Sequence, residues 1–384
     1  MKWRKKGHEF DEIGNKFKNI DNVIIYGAGE YGTKCAKMLE GIGANFIFAD
    51  RVKSQNGKYM GHKVISPDQI TEELKVQNSI IVLAMGQDNA GRALITLQMS
   101  GLQYGIDIFD VHNFMEVFFH IYAAYKYNKV LLYDVSVMVT YKCSLKCKKC
   151  MACIPYMKNP PEVSFEKFKK DIDTLFSKID YVIELGFGGG EMFLLKNLDR
   201  YISYVMDNYS NQFEEASLLT NGTIVPNQNI IGTIKKYNLR ILVSGYDTVP
   251  GWTDRYEKLK AKMDSNSIPI EILPYKNWVD MGWADKKYTE DVEELFSMCG
   301  MKCRIVQDGK LNYCIHGVLA NQALYDLDIS ADEYNLETAI EDEKKVLMEY
   351  NLGFSESGEM KMCHFCNGYI NINQNVIPVA EQLS

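Results

Sequence analysis

The order of short β-rich runs and helical segments constrains this chain more than any other feature. Residues 22–110 alternate between the two: NVIIY, apolar residues at helical spacing from Tyr31 to Leu39, then NFIFA, SIIVLA and IDIFDV. Strands separated by helices in this way predict a parallel α/β sheet. Residues 113–129 lie in an aromatic-rich stretch and predict a linker helix. A second series opens at Val130. VLLYDVSVMVTY reads as a buried strand and FEKFKKDIDTLFSKI as an amphipathic helix; YVIELGF, ASLLT, LRILVS and PIEIL read as further strands. These predict a second parallel sheet, and a barrel or partial barrel is one way to close it. After about Trp283 the pattern breaks into short cysteine-bearing pieces, with an acidic helix expected near residues 331–350.

A chain of 384 residues has room for two or three domains at roughly 150 residues each. Its 43 basic and 50 acidic residues give a formal charge of −7, which carries no footprint for a nucleic-acid backbone. No apolar run approaches the roughly 20 residues that a membrane-spanning helix needs. The opening MKWRKKGHEF runs into the polar DEIGNKFKN where a signal peptide would need an apolar core. The expectation is a soluble, cytoplasmic protein with no nucleic-acid or membrane partner.

In a reducing compartment disulfides are rare, and clustered thiols bind metal or do chemistry. The ten cysteines stand at 35, 143, 147, 150, 153, 299, 303, 314, 363 and 366. Cys143, Cys147 and Cys150 follow a buried strand in C-x3-C-x2-C spacing. Thiolates at this density suit an iron–sulfur cluster, and three ligands on a four-iron cubane leave one iron open. Cys147, Cys150 and Cys153 also begin a ferredoxin-type run, but Ile154, Pro155 and Tyr156 follow where it should continue. A zinc site would need a fourth Cys or His nearby, and none follows.

Polar motifs fall at the ends of the next strands, the face where parallel barrels assemble their sites. Gly189 and Gly190 carry no side chain and would let a ligand approach the backbone. Asn221 and Ser244 offer hydrogen bonds from adjacent strand ends, although Asn221-Gly222 also reads as an ordinary turn.

Taken in this order over residues 130–285, these motifs resemble the radical S-adenosylmethionine (SAM) enzyme family. Lys149 stands where the family often has an aromatic residue, and Met192 where it has proline. The resemblance implies a [4Fe–4S] cluster on Cys143, Cys147 and Cys150, with SAM at its open iron. Gly189, Gly190, Glu191, Asn221 and Ser244 would then contact SAM. It also implies reduced flavodoxin or ferredoxin as electron donor, and a 5′-deoxyadenosyl radical that takes hydrogen from a small-molecule substrate.

In the last quarter, Cys303 and Cys314 flank a predicted Asp308-Gly309 hairpin, and Cys363 and Cys366 form a C-x2-C pair. Four such thiols make a closed site that fits zinc as well as iron–sulfur. His316 and His364 are spare ligands that read more simply as hydrogen-bonding side chains. The arrangement resembles the twitch domain, the shortened SPASM extension of radical SAM enzymes. By that resemblance Cys303, Cys314, Cys363 and Cys366 hold an auxiliary [4Fe–4S] cluster, with Cys299 as alternate ligand in place of Cys303. Cys35 and Cys153 are bystanders.

Near the amino terminus Gly27, Gly29 and Gly32 fit G-x-G-x-x-G between a strand and a helix, and Asp50 ends the next strand, where a ribose-binding acid belongs. With GHKVISPD, this stretch resembles the amino-terminal Rossmann domain of sugar acyltransferases. That implies a nucleotide or nucleotide-sugar ligand, with NAD and a ligand-free scaffold as alternatives.

The expected fold is α/β in three parts. A Rossmann-like parallel sheet over 20–112 leads through the linker helix to a partial (β/α)6 TIM-like barrel over 130–285, and a cysteine-rich twitch/SPASM-type extension follows over 286–384. The expected function is a radical SAM oxidoreductase acting on a sugar, nucleotide-sugar or cyclitol-like substrate, with dehydrogenation favoured over epimerisation. Peptide modification is the alternative. A non-catalytic iron–sulfur electron carrier or redox sensor is more remote, since it would not need Gly-Gly-Glu or Ser244.

Overall fold

Strand formation follows the β-rich runs closely. The computed structural model describes residues 1–283, 291–301, 303–370 and 372–383, so the expected domain boundary at 285/286 lies outside them. The chain divides into two compact units, one of residues 5–131 and 341–352, the other of 1–4, 132–340 and 353–384. Both are mixed α/β with largely parallel sheets.

The first unit contains β1 (Asn22–Tyr26), β2 (Phe46–Ala49), β3 (Lys58–Tyr59), β4 (His62–Ile65), β5 (Ser79–Leu83) and β6 (Ile108–Asp110), in the order β3-β4-β2-β1-β5-β6. Only the β3–β4 pair is antiparallel. Every residue of β5 and four of five in β1 are buried, as central strands covered on both faces require. The helix Glu30–Ile42 places Cys35, Leu39 and Ile42 inward, spaced as one helical face demands, and ends at the left-handed Gly43. Cys35 is fully buried, and burial pushes its thiol well above the ordinary range, an inert core position.

The expected linker helix starts as a helical turn at Val111–Asn113, passes through a π-helical turn at Phe114–Phe118 and continues as Phe119–Tyr127. Nearly every side chain in its last part is buried, so it packs all round rather than along one stripe. The fully buried Glu349, on the helix Glu343–Asn351 of the same unit, accepts the backbone N–H groups of Gly7 and Glu9 at 2.7 and 2.9 Å.

The second unit carries β7 (Leu131–Thr140), β8 (Tyr181–Gly189), β9 (Phe213–Thr220), β10 (Arg240–Ser244), β11 (Ile270–Leu273), β12 (Asn277–Val279), β13 (Arg304–Gln307), β14 (Lys310–Asn312), β15 (Glu333–Asn335) and β16 (Val376–Pro378). Eight of them form one sheet in the order β11-β10-β9-β8-β7-β13-β14-β15; β12 and β16 pair separately. β8 through β11 run parallel to one another, and β13 runs parallel to β7 on its other edge. The Asp308-Gly309 hairpin forms, with φ of 54° and 71° at its two turn residues, the left-handed pair that a tight two-residue hairpin uses.

One expectation fails. The acidic stretch near 331–350 is α-helical only over Glu343–Asn351; a single 3-10 turn at Ser330–Asp332 precedes Glu333–Asn335, which forms β15 against β14. Tyr334 lies opposite Leu311 and both are buried, so cross-strand burial overrides the helical bias of the acidic residues. Among the described residues no helix is long and apolar enough to cross a membrane.

Candidate functional site

The loop after β7 bears Cys143, Cys147 and Cys150, and two strand ends brace it. Gly190 N–H donates to the Thr140 carbonyl at 3.0 Å and Glu191 N–H to the Lys142 carbonyl at 2.7 Å. A Cβ on Gly189 would come within 2.3 Å of the Thr140 oxygen, and one on Gly190 within 2.3 Å of the Lys142 oxygen. The glycines are therefore required by the close approach of the cysteine loop itself, in space that the sequence alone assigns to a ligand.

Glu191 is fully buried, and its carboxylate is taken up by the chain. Its oxygens accept the Thr220 hydroxyl at 2.8 and 2.9 Å, the Asn221 N–H at 2.8 Å and the Phe193 N–H at 3.1 Å. Burial pushes its pKa up, and the hydrogen bonds from Asn221, Thr220 and Phe193 oppose that. Asn221 in turn donates from Nδ2 to Ser144 Oγ at 3.0 Å and towards Cys143 Sγ at 3.6 Å, and accepts Thr223 N–H at Oδ1. Gly222 follows in the left-handed region, so Asn221-Gly222 is a turn whose amide grips the cysteine loop. Ser244 is buried at the end of β10, and burial raises the nearby Tyr246 phenol.

The three thiols lie close together. Burial raises Cys143 to about 11 and Cys147 to about 12, and the nearby Cys150 adds to both shifts. Burial likewise raises Cys150, which backbone N–H groups partly offset. Cys153 is buried, with its thiol pushed up to about 12 by burial and then by Cys150.

One contributor had no signal in the sequence. The segment 381–383 runs antiparallel to 146–148: Lys148 N–H donates to the Glu381 carbonyl at 2.6 Å and Leu383 N–H to the Lys146 carbonyl at 2.8 Å. Gln382 Nε2 thereby reaches Cys147 Sγ at 3.3 Å, while its Oε1 accepts Lys146 N–H at 2.9 Å. Pairing of segments so far apart along the chain leaves no local pattern to read.

The second cysteine group surrounds an apolar recess lined by Cys299, Cys314, Cys363 and Cys366 together with Met281, Trp283, Phe296 and Met362. Cys303 is not part of this lining. Its sulfur lies 3.3 Å from Ser136 Oγ on β7 and packs with Met138 and Ile305. Burial raises Cys314 to about 11, and the charge of Cys299 adds to that. His316 is half-buried against the Met151 carbonyl at 3.1 Å, and desolvation lowers it to about 4, so it is a neutral hydrogen-bonding ring. His364 pairs with Glu359 at 3.0 Å. Among the described residues no three His, Cys, Asp or Glu side chains converge as they would on a single ion. The thiols of the second group flank a volume instead.

In the first unit the glycine turn and Asp50 come together, since Ala28 N–H donates to Asp50 Oδ2 at 3.0 Å. Asp50 Oδ1 accepts the Val52 and Lys53 N–H groups, each at 2.9 Å. A Cβ on Gly32 would lie 2.0 Å from the Gly27 oxygen, while Gly29 faces open space.

No protein-family model matches this chain. Among curated proteins it is similar to the uncharacterized protein MJ0907 of Methanocaldococcus jannaschii, with 35% identity over 107 residues, 28% of this chain. The match spans only 36% of that relative's length. Among solved structures, histidine-tagged anSMEcpe with bound AdoMet aligns at a TM-score of 0.42 and 14% identity, covering 61% of this chain and 84% of that one. BtrN in complex with AdoMet and 2-DOIA aligns at 0.36 and 17%, covering 66% and 98%. Streptococcus suis SuiB bound to precursor peptide SuiA aligns at 0.30 and 15%, covering 42% and 36%.

Proposed function

We propose that this chain is a radical SAM enzyme of the oxidoreductase type, acting on a small polar substrate. The observation that carries the reading is the gathering of Cys143, Cys147 and Cys150 on one loop, braced by Gly190, Glu191 and Asn221. Three thiols in this spacing suit a cubane with one open iron. When bound, such a cluster with SAM supplies the electron and the carbon radical that abstract hydrogen from substrate.

The chain's part is to hold and shield. The Glu191–Thr220–Asn221 network fixes the cysteine loop against the ends of β8 and β9. Because Glu191 is engaged with its own chain, backbone carbonyls at 188–190 are the better partners for the SAM ammonium, with Ser244 facing the same end of the sheet. Gln382 donates to Cys147 and so adjusts the cluster's electronics.

For the auxiliary site we propose Cys299, Cys314, Cys363 and Cys366 around a second [4Fe–4S] cluster, with Cys299 in the place first assigned to Cys303. An apolar recess walled by four thiols fits a cluster better than a compact zinc ion, whose sulfurs lie about 2.3 Å from one centre. In the first unit, Asp50 beside the Ala28 N–H is the group that a ribose hydroxyl of a nucleotide or nucleotide-sugar would meet.

The test is anaerobic reconstitution followed by dithionite and SAM. The expected product is 5′-deoxyadenosine, with iron and sulfide each near about eight per chain. Absence of 5′-deoxyadenosine, or a Cys143→Ala variant that still forms it, would overturn the radical reading. About four irons with one zinc would overturn the auxiliary cluster alone.

A further inference from the structure

A second recess opens beside the first cysteine group, with a volume of about 280 Å3. Cys150 and Cys153 form part of its wall; Lys148, Lys149, Tyr156, Asp280, Met281, Trp283 and Leu324 complete it. Met281 and Trp283 also line the recess that holds the second cysteine group, so they form the partition between the two spaces.

Two features mark it as a built binding site. The first is the Trp283 indole. The residue is only 9% exposed, and its Nε1–H has no hydrogen-bond partner among the described residues. A buried donor left unpaired costs about 1–3 kcal/mol, which an acceptor on a ligand would recover.

The second is the setting of Asp280. Its backbone carbonyl accepts the side-chain amides of Asn367 and Asn373 at 3.2 and 2.8 Å, and its N–H donates to the Asn375 carbonyl at 2.9 Å. Gly282 N–H holds Oδ1 at 2.9 Å, and the Lys149 ammonium lies 3.5 Å from the same oxygen. The carboxylate is thus fixed from behind through Oδ1, and among the described residues Oδ2 accepts no hydrogen bond.

We propose that this recess is the substrate site and that it takes a compact, neutral, polyhydroxylated ring. The assignment rests on the radical SAM reading, and it narrows the substrate class. Lys149 pairs with Asp280 at 3.5 Å and Lys148 with Glu381 at 3.3 Å, so an anion or a cation would have to break one of those pairs. A neutral hydroxyl both donates and accepts, so vicinal hydroxyls can donate to Asp280 while accepting from Trp283 Nε1 and Lys149. The faces of Trp283, Met281 and Leu324 supply apolar surface for the ring carbons. A wholly apolar ligand would leave the indole N–H and the carboxylate unpaired. The volume lies near the lower end of small-molecule sites, roughly 300–1,000 Å3, and has no room for a folded peptide.

The test is direct binding to the anaerobically reconstituted protein by titration calorimetry, with myo-inositol and D-glucose as probes and glycine and an unstructured hexapeptide as competitors. The expected result is saturable binding of at least one polyol. Trp283→Phe keeps the apolar face but loses the N–H, and should weaken that binding about 3–10-fold; Asp280→Asn should weaken it tenfold or more. Asn can still accept the Gly282 N–H, so this variant retains the local fold, which its melting curve checks. The proposal is overturned if neither polyol binds, if only glycine or the hexapeptide binds, or if both variants bind the polyol as the parent does. Formation of 5′-deoxyadenosine by the parent protein without substrate tests the radical reading separately, so failure of one is distinguishable from failure of the other.

Discussion

Both carboxylate oxygens of Glu191 accept the hydroxyl of Thr220, at 2.8 and 2.9 Å, in a position with no solvent exposure. This ties the end of β8 to the end of β9, and through the Asn221 amide to the cysteine loop. Glu191→Ala would strand three buried donors, at a cost of about 2–4 kcal/mol and roughly 5–15 °C in melting temperature. Glu191→Gln keeps one acceptor oxygen and should lose less. Differential scanning calorimetry checks the order. If Glu191 instead served mainly to bind the SAM ammonium, both variants would melt like the parent and only SAM affinity would fall.

Gln382 donates to the sulfur of Cys147 at 3.3 Å. Hydrogen bonds to cluster sulfurs shift reduction potential, because a donor stabilises the more negative, reduced state. Gln382→Ala should therefore move the midpoint of the first cluster to a more negative potential while iron content stays at the parent level. Redox titration followed by electron paramagnetic resonance checks both. An unchanged midpoint would mean the contact only anchors the segment 381–383.

The strands and the cysteine groups were legible because they rest on local pattern. NVIIY and SIIVL are β-rich runs between turn signals, and C-x3-C-x2-C is a spacing. What the residues around the cysteines do was less legible. Gly190 and Glu191 read as a ligand cradle because a glycine run permits close approach of any group, and only the fold shows that the Lys142 carbonyl fills the space. Cys303 read as a cluster ligand because it flanks the hairpin beside Cys314. Cys303 sits directly before β13 with its sulfur 3.3 Å from Ser136 Oγ, while Cys299 is on the recess lining, and the order of cysteines in the chain does not distinguish the two. Gln382 and the Lys149–Asp280 pair depend on contacts between distant parts of the chain, which carry no periodic signal.

Asp332 is almost wholly buried, and burial pushes its carboxyl up to about 6, although the Lys361 N–H donates to Oδ2 at 2.6 Å. Its folded pKa exceeds its ordinary value of 3.8, so the folded chain binds the extra proton between about pH 4 and 6. Its contribution to stability is therefore fully present below about pH 4 and is lost as pH rises through about 6, by up to about 3 kcal/mol. Asp332→Asn still accepts the Lys361 N–H but cannot ionise. Urea unfolding at pH 4 and pH 7 should show the variant gaining on the parent as pH rises. Equal differences at both pH values would contradict the shift.

The choice between Cys299 and Cys303 can be decided by counting metal. Cys299 shares the recess with Cys314, Cys363 and Cys366, and its charge raises the pKa of Cys314. Cys303 lies outside the lining, 3.3 Å from a β7 serine hydroxyl; burial raises its thiol, and Asp134 and Cys314 add to that. Removing a true ligand should cost the auxiliary cluster, whereas removing a packed thiol should cost only a small cavity, about 1 kcal/mol. Cys299→Ala should thus fall from about eight irons per chain to about four, and Cys303→Ala should keep about eight while melting a few degrees lower. Iron and sulfide analysis of the two reconstituted variants gives the answer. The reverse result would return Cys303 to the ligand set, and would require the chain before β13 to turn its sulfur away from Ser136 and into the recess when the cluster is bound.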